Sequence, residues 1–261
     1  HAVVHTLTNL AKQGTIALSM VDTDEKGHIN YQHLESLLTE NNNSLVSLMH
    51  ANNEIGNLLD IERVGELCDY YKSYFHSDTV QTVGHYGHDL SKIKVHGITA
   101  AAHKFHGPKG VGFMYIRRDK KLQPLLHGGS QERNMRGGTE NVSGIIGLAK
   151  ALEIAYRDME EHALHVSGLK THMIRHLRES IPGIDFHGDS ANLARSLYTV
   201  LNVSLPESDE NEMMLFNLDL KGVSASGGSA CSSGAASGSH VLEALYPGSR
   251  RGAVRFSFSR Y

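Results

Sequence analysis

Ser44-Leu45-Val46-Ser47-Leu48-Met49 is a short β-type run, and the chain changes period just after it. Over 60–75, Ile61, Val64, Leu67, Cys68, Tyr71 and Phe75 recur at three- and four-residue steps, with Asp60 placed as the N-cap of a helix. Gly110-Val111-Gly112-Phe113-Met114-Tyr115-Ile116 returns to the β pattern, as Thr15 to Val21 does upstream. Strand patterns separated by helical ones predict an α/β fold with a mostly parallel sheet. The longest helical pattern runs from Val142 to about Ser180, is broken once, and is closed by Pro182-Gly183. Beyond it, Ser196 to Leu205 reads as a strand and Glu210 to Leu220 as a helix. The expected organisation is a large α/β part over residues 1–140, then a connecting long helix and a smaller α+β part over 141–261.

Composition narrows the function. The 261 residues are 40% hydrophobic and 20% charged, with a formal net charge of -3, which excludes disordered, collagen-like and membrane classes. Twenty-five Lys+Arg against 28 Asp+Glu leave no basic excess for phosphates, so direct binding of nucleic acid is not expected. Two cysteines make no disulfide framework in a chain of this length and point to a reducing compartment. With no apolar run of spanning length and no signal-like opening, a cytoplasmic protein with no membrane contact is expected. The opening His1-Ala2-Val3-Val4 and the strand-like close from Val254 to Tyr261 predict a piece of a longer polypeptide.

Glycine-rich turns occur at Gly107-Pro108-Lys109-Gly110, Gly128-Gly129, Gly137-Gly138 and Gly227-Gly228, but none is a P-loop or a dinucleotide-binding turn. Eighteen histidines invite a metal reading. The spaced pairs His85/His88 and His172/His176 have no acidic or Cys set beside them, so satisfied or solvated histidines are expected and no metal. Cys68 falls on the apolar helical face and reads as core. Cys231 differs: Ser224 to Gly234 is a run of small residues that would bury little, leaving either a thiol open to chemistry or an incidental linker cysteine. Lys104 follows a strand-like run and precedes a Gly-Pro turn, where an amine could be held partly desolvated or simply lie exposed. Asp78 ends a short apolar run and could pair with a protonated pyridine nitrogen.

Six motifs in order carry a family resemblance: Met49-His50-Ala51-Asn52-Asn53-Glu54-Ile55-Gly56; His76-Ser77-Asp78 with Gln81; Ala102-His103-Lys104 with Gly107-Pro108-Lys109-Gly110; Gly128-Gly129 through Gln131-Glu132-Arg133, Arg136 and Gly138-Thr139 to Asn141; Gly228-Ser229-Ala230-Cys231; and Val254-Arg255-Phe256-Ser257. Over essentially its whole length the chain resembles the NifS/IscS cysteine desulfurases, class-V members of the fold-type I pyridoxal-phosphate enzymes. The resemblance implies a large domain of the aspartate aminotransferase-like PLP-transferase type. It implies that L-cysteine is converted to L-alanine, with the sulfur left as a persulfide for iron–sulfur cluster assembly or tRNA thiolation. It implies Lys104 as the Schiff-base lysine that shuttles the Cα proton, Asp78 on the pyridine nitrogen, Gln81 and Asn53 on the ring oxygen, and His103 on the phosphate. Thr139 would reach the phosphate of the neighbouring subunit of a homodimer, Arg255 would hold the substrate carboxylate, and Cys231 would take the sulfur and pass it to an acceptor protein such as an iron–sulfur scaffold. Ala101 departs from the family, whose serine there is a phosphate ligand, and the family's ring-stacking histidine aligns just before residue 1. Other functions compatible with the motifs are a selenocysteine lyase, another class-V lyase, or a catalytically idle scaffold relative, which Ala101 would suit.

Overall fold

The computed structural model describes residues 1–41, 43–227 and 239–261. Its first part runs α1 (Ala2–Lys12), α2 (Tyr31–Glu40), β1 (Leu45–Met49), α3 (Ile61–Tyr70), β2 (Tyr74–Asp78), β3 (Gly97–Ala101) and β4 (Gly112–Ile116). These strands form one sheet in the order β1-β2-β3-β4. The pairs β1/β2 and β2/β3 are parallel, and β4 returns antiparallel to β3. Only residues 102–111 separate β3 from β4, too few for the crossover that a parallel neighbour needs, so the chain turns straight back.

Helix α3 begins as its sequence predicts, with the Asp60 carboxylate accepting from the Arg63 N–H at 3.0 Å. Its Ile61, Val64 and Cys68 pack in one core cluster with Phe75 of β2, and each such fully buried side chain contributes roughly 1.5–3 kcal/mol. Burial without a partner charge pushes the Cys68 thiol up to about 12, so it packs as an apolar group. Phe75 is not a helical residue, contrary to its spacing. The helix stops at Tyr70, and Lys72 turns the chain with φ +56° so that Phe75 enters the core from the sheet. Thr15 to Val21 forms no strand either, because no neighbouring segment supplies a ladder and most of its residues stay exposed.

The second part contains a short turn α4 (Gln131–Asn134), α5 (Val142–Arg157) and α6 (Met159–Ser180), with the expected single break falling at Asp158. It continues with β5 (Asp185–Phe186), β6 (Val200–Glu207), α7 (Met214–Leu220), α8 (His240–Leu245) and β7 (Arg251–Ser257). The three strands make a separate antiparallel sheet in the order β5-β6-β7. Strand β6 starts later than its apolar pattern suggests. Residues 195–197 pair instead with the segment after β1: the Leu58 N–H donates to the Arg195 carbonyl at 2.9 Å and the Leu197 N–H to the Gly56 carbonyl at 2.8 Å. Lys170 of α6 secures this junction. Fully buried, it donates to the Leu197 carbonyl at 2.6 Å and to Ser196 Oγ at 3.0 Å. Among the described residues no helix is long and apolar enough to cross a membrane.

Candidate active site

Three adjacent parallel strands end side by side, with Met49 in register with Asp78 and Asp78 in register with Thr99. The carboxyl edge of such a sheet is where α/β folds place ligands, because the turns that follow the strands project there together. After β1, the Asn52 side chain accepts from the N–H groups of Glu54 and Ile55 at 2.8 and 3.0 Å, and Gly56 closes the turn with φ +77°. That Asx turn presents Asn53, half-buried, at the sheet edge. After β2, Asp78 Oδ1 accepts from the Val80 N–H at 3.0 Å, and Thr79 Oγ1 donates to the Thr99 carbonyl at 2.8 Å. This brings half-buried Gln81 beside Asp78 on one turn. After β3, a 3-10 turn over Ala102–Phe105 ends at His106 with φ +66°, leaving His103 and Lys104 exposed between buried Ala102 and Phe105.

Arg255 comes from the other sheet. It is paired with Asn202 in the β6/β7 ladder and donates through Nη1 to the main-chain carbonyl of Asn53 at 3.1 Å. Its side chain is buried, and Nε has no acceptor among the described residues. Burial lowers the guanidinium's affinity for its proton, and the nearby Glu54 carboxylate opposes that shift. A buried N–H without an acceptor costs about 1–3 kcal/mol, so this fork suits an arriving carboxylate. Glu54 was not among the sequence candidates. It is 1% exposed, and its Oε2 accepts from Ser239 Oγ at 2.5 Å. The Glu54 carbonyl also accepts from Asn202 Nδ2 at 3.0 Å.

Histidines make up a further layer that sequence alone did not assign. His50 Nδ1 lies 2.9 Å from Thr82 Oγ1 and 3.1 Å from His88 Nε2. Burial, reinforced by His88, lowers His50 to about 4, so it is neutral at physiological pH. Among the described residues no cluster of three or more His, Cys, Asp or Glu is placed to hold a metal ion. Thr139 stands exposed on the loop before α5, apart from the group at the sheet edge. Cys231 lies outside the described residues.

The site thus gathers Asn53, Asp78, Gln81, His103 and Lys104 at one sheet edge, with Arg255 joined to Asn53 from the second sheet. The profile of the aminotransferase class-V family matches residues 1–261. The chain belongs to the class-V aminotransferase family. Among relatives, it is 40% identical over 242 residues to cysteine desulfurase IscS of Clostridium botulinum, covering 93% of this chain and 60% of that protein. It is 40% identical over 263 residues to cysteine desulfurase NifS of Azotobacter vinelandii, covering all of this chain and 64% of that protein. The chain therefore spans about three fifths of the length of such curated relatives. A solved NifS-like protein superposes with a TM-score of 0.86 at 34% identity, over 100% of this chain and 67% of that one. SspA, solved in complex with cysteine, superposes with a TM-score of 0.80 at 26% identity, over 99% of this chain and 71% of that one. The aspartate aminotransferase-like α/β fold expected from the motifs is the fold of this class-V family member.

Proposed function

We propose that this chain carries the catalytic core of a pyridoxal-phosphate-dependent cysteine desulfurase. The observation that carries the reading is the convergence of a carboxylate, Asp78, and an amine-bearing turn, Lys104, at the ends of adjacent parallel strands, with the incompletely bonded Arg255 fork facing the Asn53 turn. The class-V relatives named cysteine desulfurase, and the neighbour solved with cysteine, support the same substrate.

The residues fit the cofactor: an acid at a strand end, a lysine on the next strand's turn, amide and imidazole donors in Gln81, Asn53 and His103, and a buried cation for a carboxylate. When bound, pyridoxal phosphate supplies an electron-withdrawing pyridinium ring that weakens bonds at and beside the substrate Cα. Asp78 would hold the proton on the ring nitrogen, Gln81 and Asn53 would hold the ring oxygen, and His103 would meet the phosphate; Lys104 would supply the amine that holds the cofactor and would move the proton at the substrate Cα. Arg255 orients the substrate carboxylate by its planar fork. The Cys231 thiol takes the substrate sulfur, so that L-cysteine and one enzyme thiol become L-alanine and one enzyme persulfide. An acceptor protein then removes that sulfur, in the reducing interior of the cell.

A homodimer suits the same reading. Leu125 is 90% exposed, and Val142 and Ile146 on the helix that follows the Thr139 loop are also exposed; a second subunit that covered them would bring Thr139 toward that subunit's phosphate. We place the domain boundary near residue 140, where α5 begins, although its Leu148 and Ala155 still pack in the first sheet's core cluster. The test is alanine and sulfide release from L-cysteine by the full-length protein, with and without added cofactor, in parallel with L-selenocysteine. Lys104→Ala and Cys231→Ser should each abolish alanine release. A preference for selenocysteine would move the assignment to a lyase, and no turnover of either substrate would move it to an idle relative.

A further inference from the structure

His85 joins the turn that carries Asp78 and Gln81 to the turn that carries Lys104. Its Nε2 lies 3.0 Å from the main-chain carbonyl oxygen of Lys104. A carbonyl oxygen can only accept, so Nε2 bears the proton. Nδ1 lies 3.2 Å from the Tyr198 hydroxyl, which is also 3.1 Å from His85's own carbonyl oxygen. With the proton on Nε2, Nδ1 of the neutral ring is a lone pair, so the single Tyr198 O–H proton, donated to the His85 carbonyl oxygen, also faces Nδ1 in a three-centre arrangement. Burial disfavours a charged His85 ring; the hydrogen bond to the Lys104 carbonyl opposes that shift, and the nearby His106, Arg260 and His162 add to it. Burial likewise keeps the Tyr198 hydroxyl protonated, and its main-chain N–H donates to the Tyr86 hydroxyl at 3.2 Å. One residue earlier the two turns touch without clearance: a Cβ added at Gly84 would lie 2.6 Å from the Cβ of Phe105, which follows Lys104.

We propose that His85 is a positioning residue for Lys104: its Nε2–H fixes the Lys104 carbonyl relative to the Asp78 turn, and the Tyr198 hydroxyl holds the ring and the His85 main chain from the other side. The Lys104 turn is short, with His103 and Lys104 exposed between buried Ala102 and Phe105, and a 3-10 turn of four residues has few internal bonds to fix the main chain at Lys104. A side chain tied on both ring nitrogens to separate segments supplies the constraint that such a turn lacks. The inference rests on the proposed cofactor chemistry, since it concerns where the Lys104 amine is delivered.

The test compares two forms of the cofactor on the full-length protein. Pyridoxal 5'-phosphate can condense with the Lys104 amine, whereas pyridoxamine 5'-phosphate has no aldehyde and occupies the same ring and phosphate contacts without that bond. The preference for the first form over the second therefore reads the placement of Lys104 separately from the rest of the site. His85→Phe keeps the ring's bulk beside a cavity of about 30 Å³ that a smaller side chain would enlarge, and removes both ring nitrogens, the donor to Lys104 and the contact with Tyr198. It should lower that preference by about tenfold or more while pyridoxamine phosphate affinity stays within twofold. His85→Gln, whose amide N–H can reach for the same carbonyl, should restore most of the preference. Tyr198→Phe, which removes the hydroxyl that holds His85 from its other side, should lower it less than His85→Phe does. Equal losses for the two cofactor forms, or an unchanged preference in His85→Phe and Tyr198→Phe, would overturn the proposal. If the unaltered protein shows no preference at all, the cofactor reading itself fails, and the proposal with it.

Discussion

Arg255 and Asn53 meet across the two sheets: the guanidinium Nη1 donates at 3.1 Å to the carbonyl of a turn that the first sheet presents. The same residue's main chain exchanges two hydrogen bonds with Ser226, at 3.1 and 2.6 Å. Arg255 is thus held by its backbone on one side and by one fork nitrogen on the other, its buried Nε has no acceptor among the described residues, and in the proposed reading it recognises a ligand. This arrangement is preorganised, because binding a carboxylate there requires little further ordering of the side chain.

Replacing Arg255 with lysine keeps the charge and loses the fork. One charge-assisted hydrogen bond at about 1.5–3 kcal/mol is removed, which predicts roughly a ten- to hundredfold loss in kcat/KM for L-cysteine, carried mainly by KM. Steady-state alanine release across a cysteine series measures it. An unchanged KM in Arg255→Lys would remove Arg255 from substrate binding.

Ser239 has two jobs in the fold. Its Oγ donates to buried Glu54 at 2.5 Å and accepts from the Leu242 N–H at 3.1 Å as the N-cap of α8. Ser239→Ala loses the cap, worth about 1 kcal/mol, and strands a carboxylate oxygen at about 1–3 kcal/mol. A total destabilisation of about 2–4 kcal/mol is expected from denaturant midpoints. Ser239→Thr, which keeps the hydroxyl, should lose far less, and equal losses in both variants would show that the hydroxyl is not what matters.

The legible part of this protein is local, and the illegible part is long-range. Asn53, Asp78, Gln81 and Lys104 each follow a strand whose apolar run is visible, and each sits beside an Asx or glycine turn that the residue types announce. The Asp60 cap and the break between α5 and α6 were equally visible for the same reason. Periodicity does not encode strand direction, so the antiparallel return of β4 appeared only with the ladder. Nor does it distinguish a helix that continues from one that ends, which is why Phe75 kept the helical step after the helix had stopped at Tyr70. The pairs Arg255 with Asn53 and Ser239 with Glu54 are separated by 202 and 185 residues, and no window of sequence contains both partners. Glu54 did carry a faint signal: an acid between Asn53 and Ile55 in a segment otherwise built for burial needs partners from elsewhere.

Lys170 makes stability depend on pH in a direction opposite to that of an ion-paired lysine. Burial lowers it to about 7 in the folded protein, whereas an unfolded lysine titrates near 10.4. Between those values the unfolded chain binds more protons, so stability rises as pH increases from about 7 toward 10 and is lowest below 7, where the buried amine must carry its charge. A neutral amine still has two N–H groups, enough for both the Leu197 carbonyl and Ser196 Oγ. Lys170→Met removes this dependence and leaves the carbonyl without its donor. Unfolding curves of both proteins at pH 6 and pH 9 should show the unaltered protein gaining on the variant by on the order of 2–3 kcal/mol at the higher pH. A constant difference between the two would mean that Lys170 stays charged throughout.

Two glycines separate steric cost from backbone freedom. Gly84 is buried with φ +82°, and an added Cβ would meet Phe105 Cβ at 2.6 Å and Phe105 Cγ at 3.1 Å. Gly84→Ala therefore combines left-handed backbone strain of about 1 kcal/mol with overpacking of about 1–3 kcal/mol. The near contact is the Cβ of a fully buried residue, so it cannot swing aside as the end of a long side chain would. Gly168 lies within α6 with no atom inside 4 Å of an added Cβ. Gly168→Ala should stabilise by about 0.5–1 kcal/mol, because the unfolded chain loses freedom and the helix gains a better former. In thermal unfolding the two variants should fall on opposite sides of the unaltered protein, with Gly84→Ala lower by roughly 5–12 °C and Gly168→Ala higher by about 1–4 °C. A Gly84→Ala protein that melts with the unaltered one would show that the turns carrying Asp78 and Lys104 are not in contact at Gly84 and Phe105.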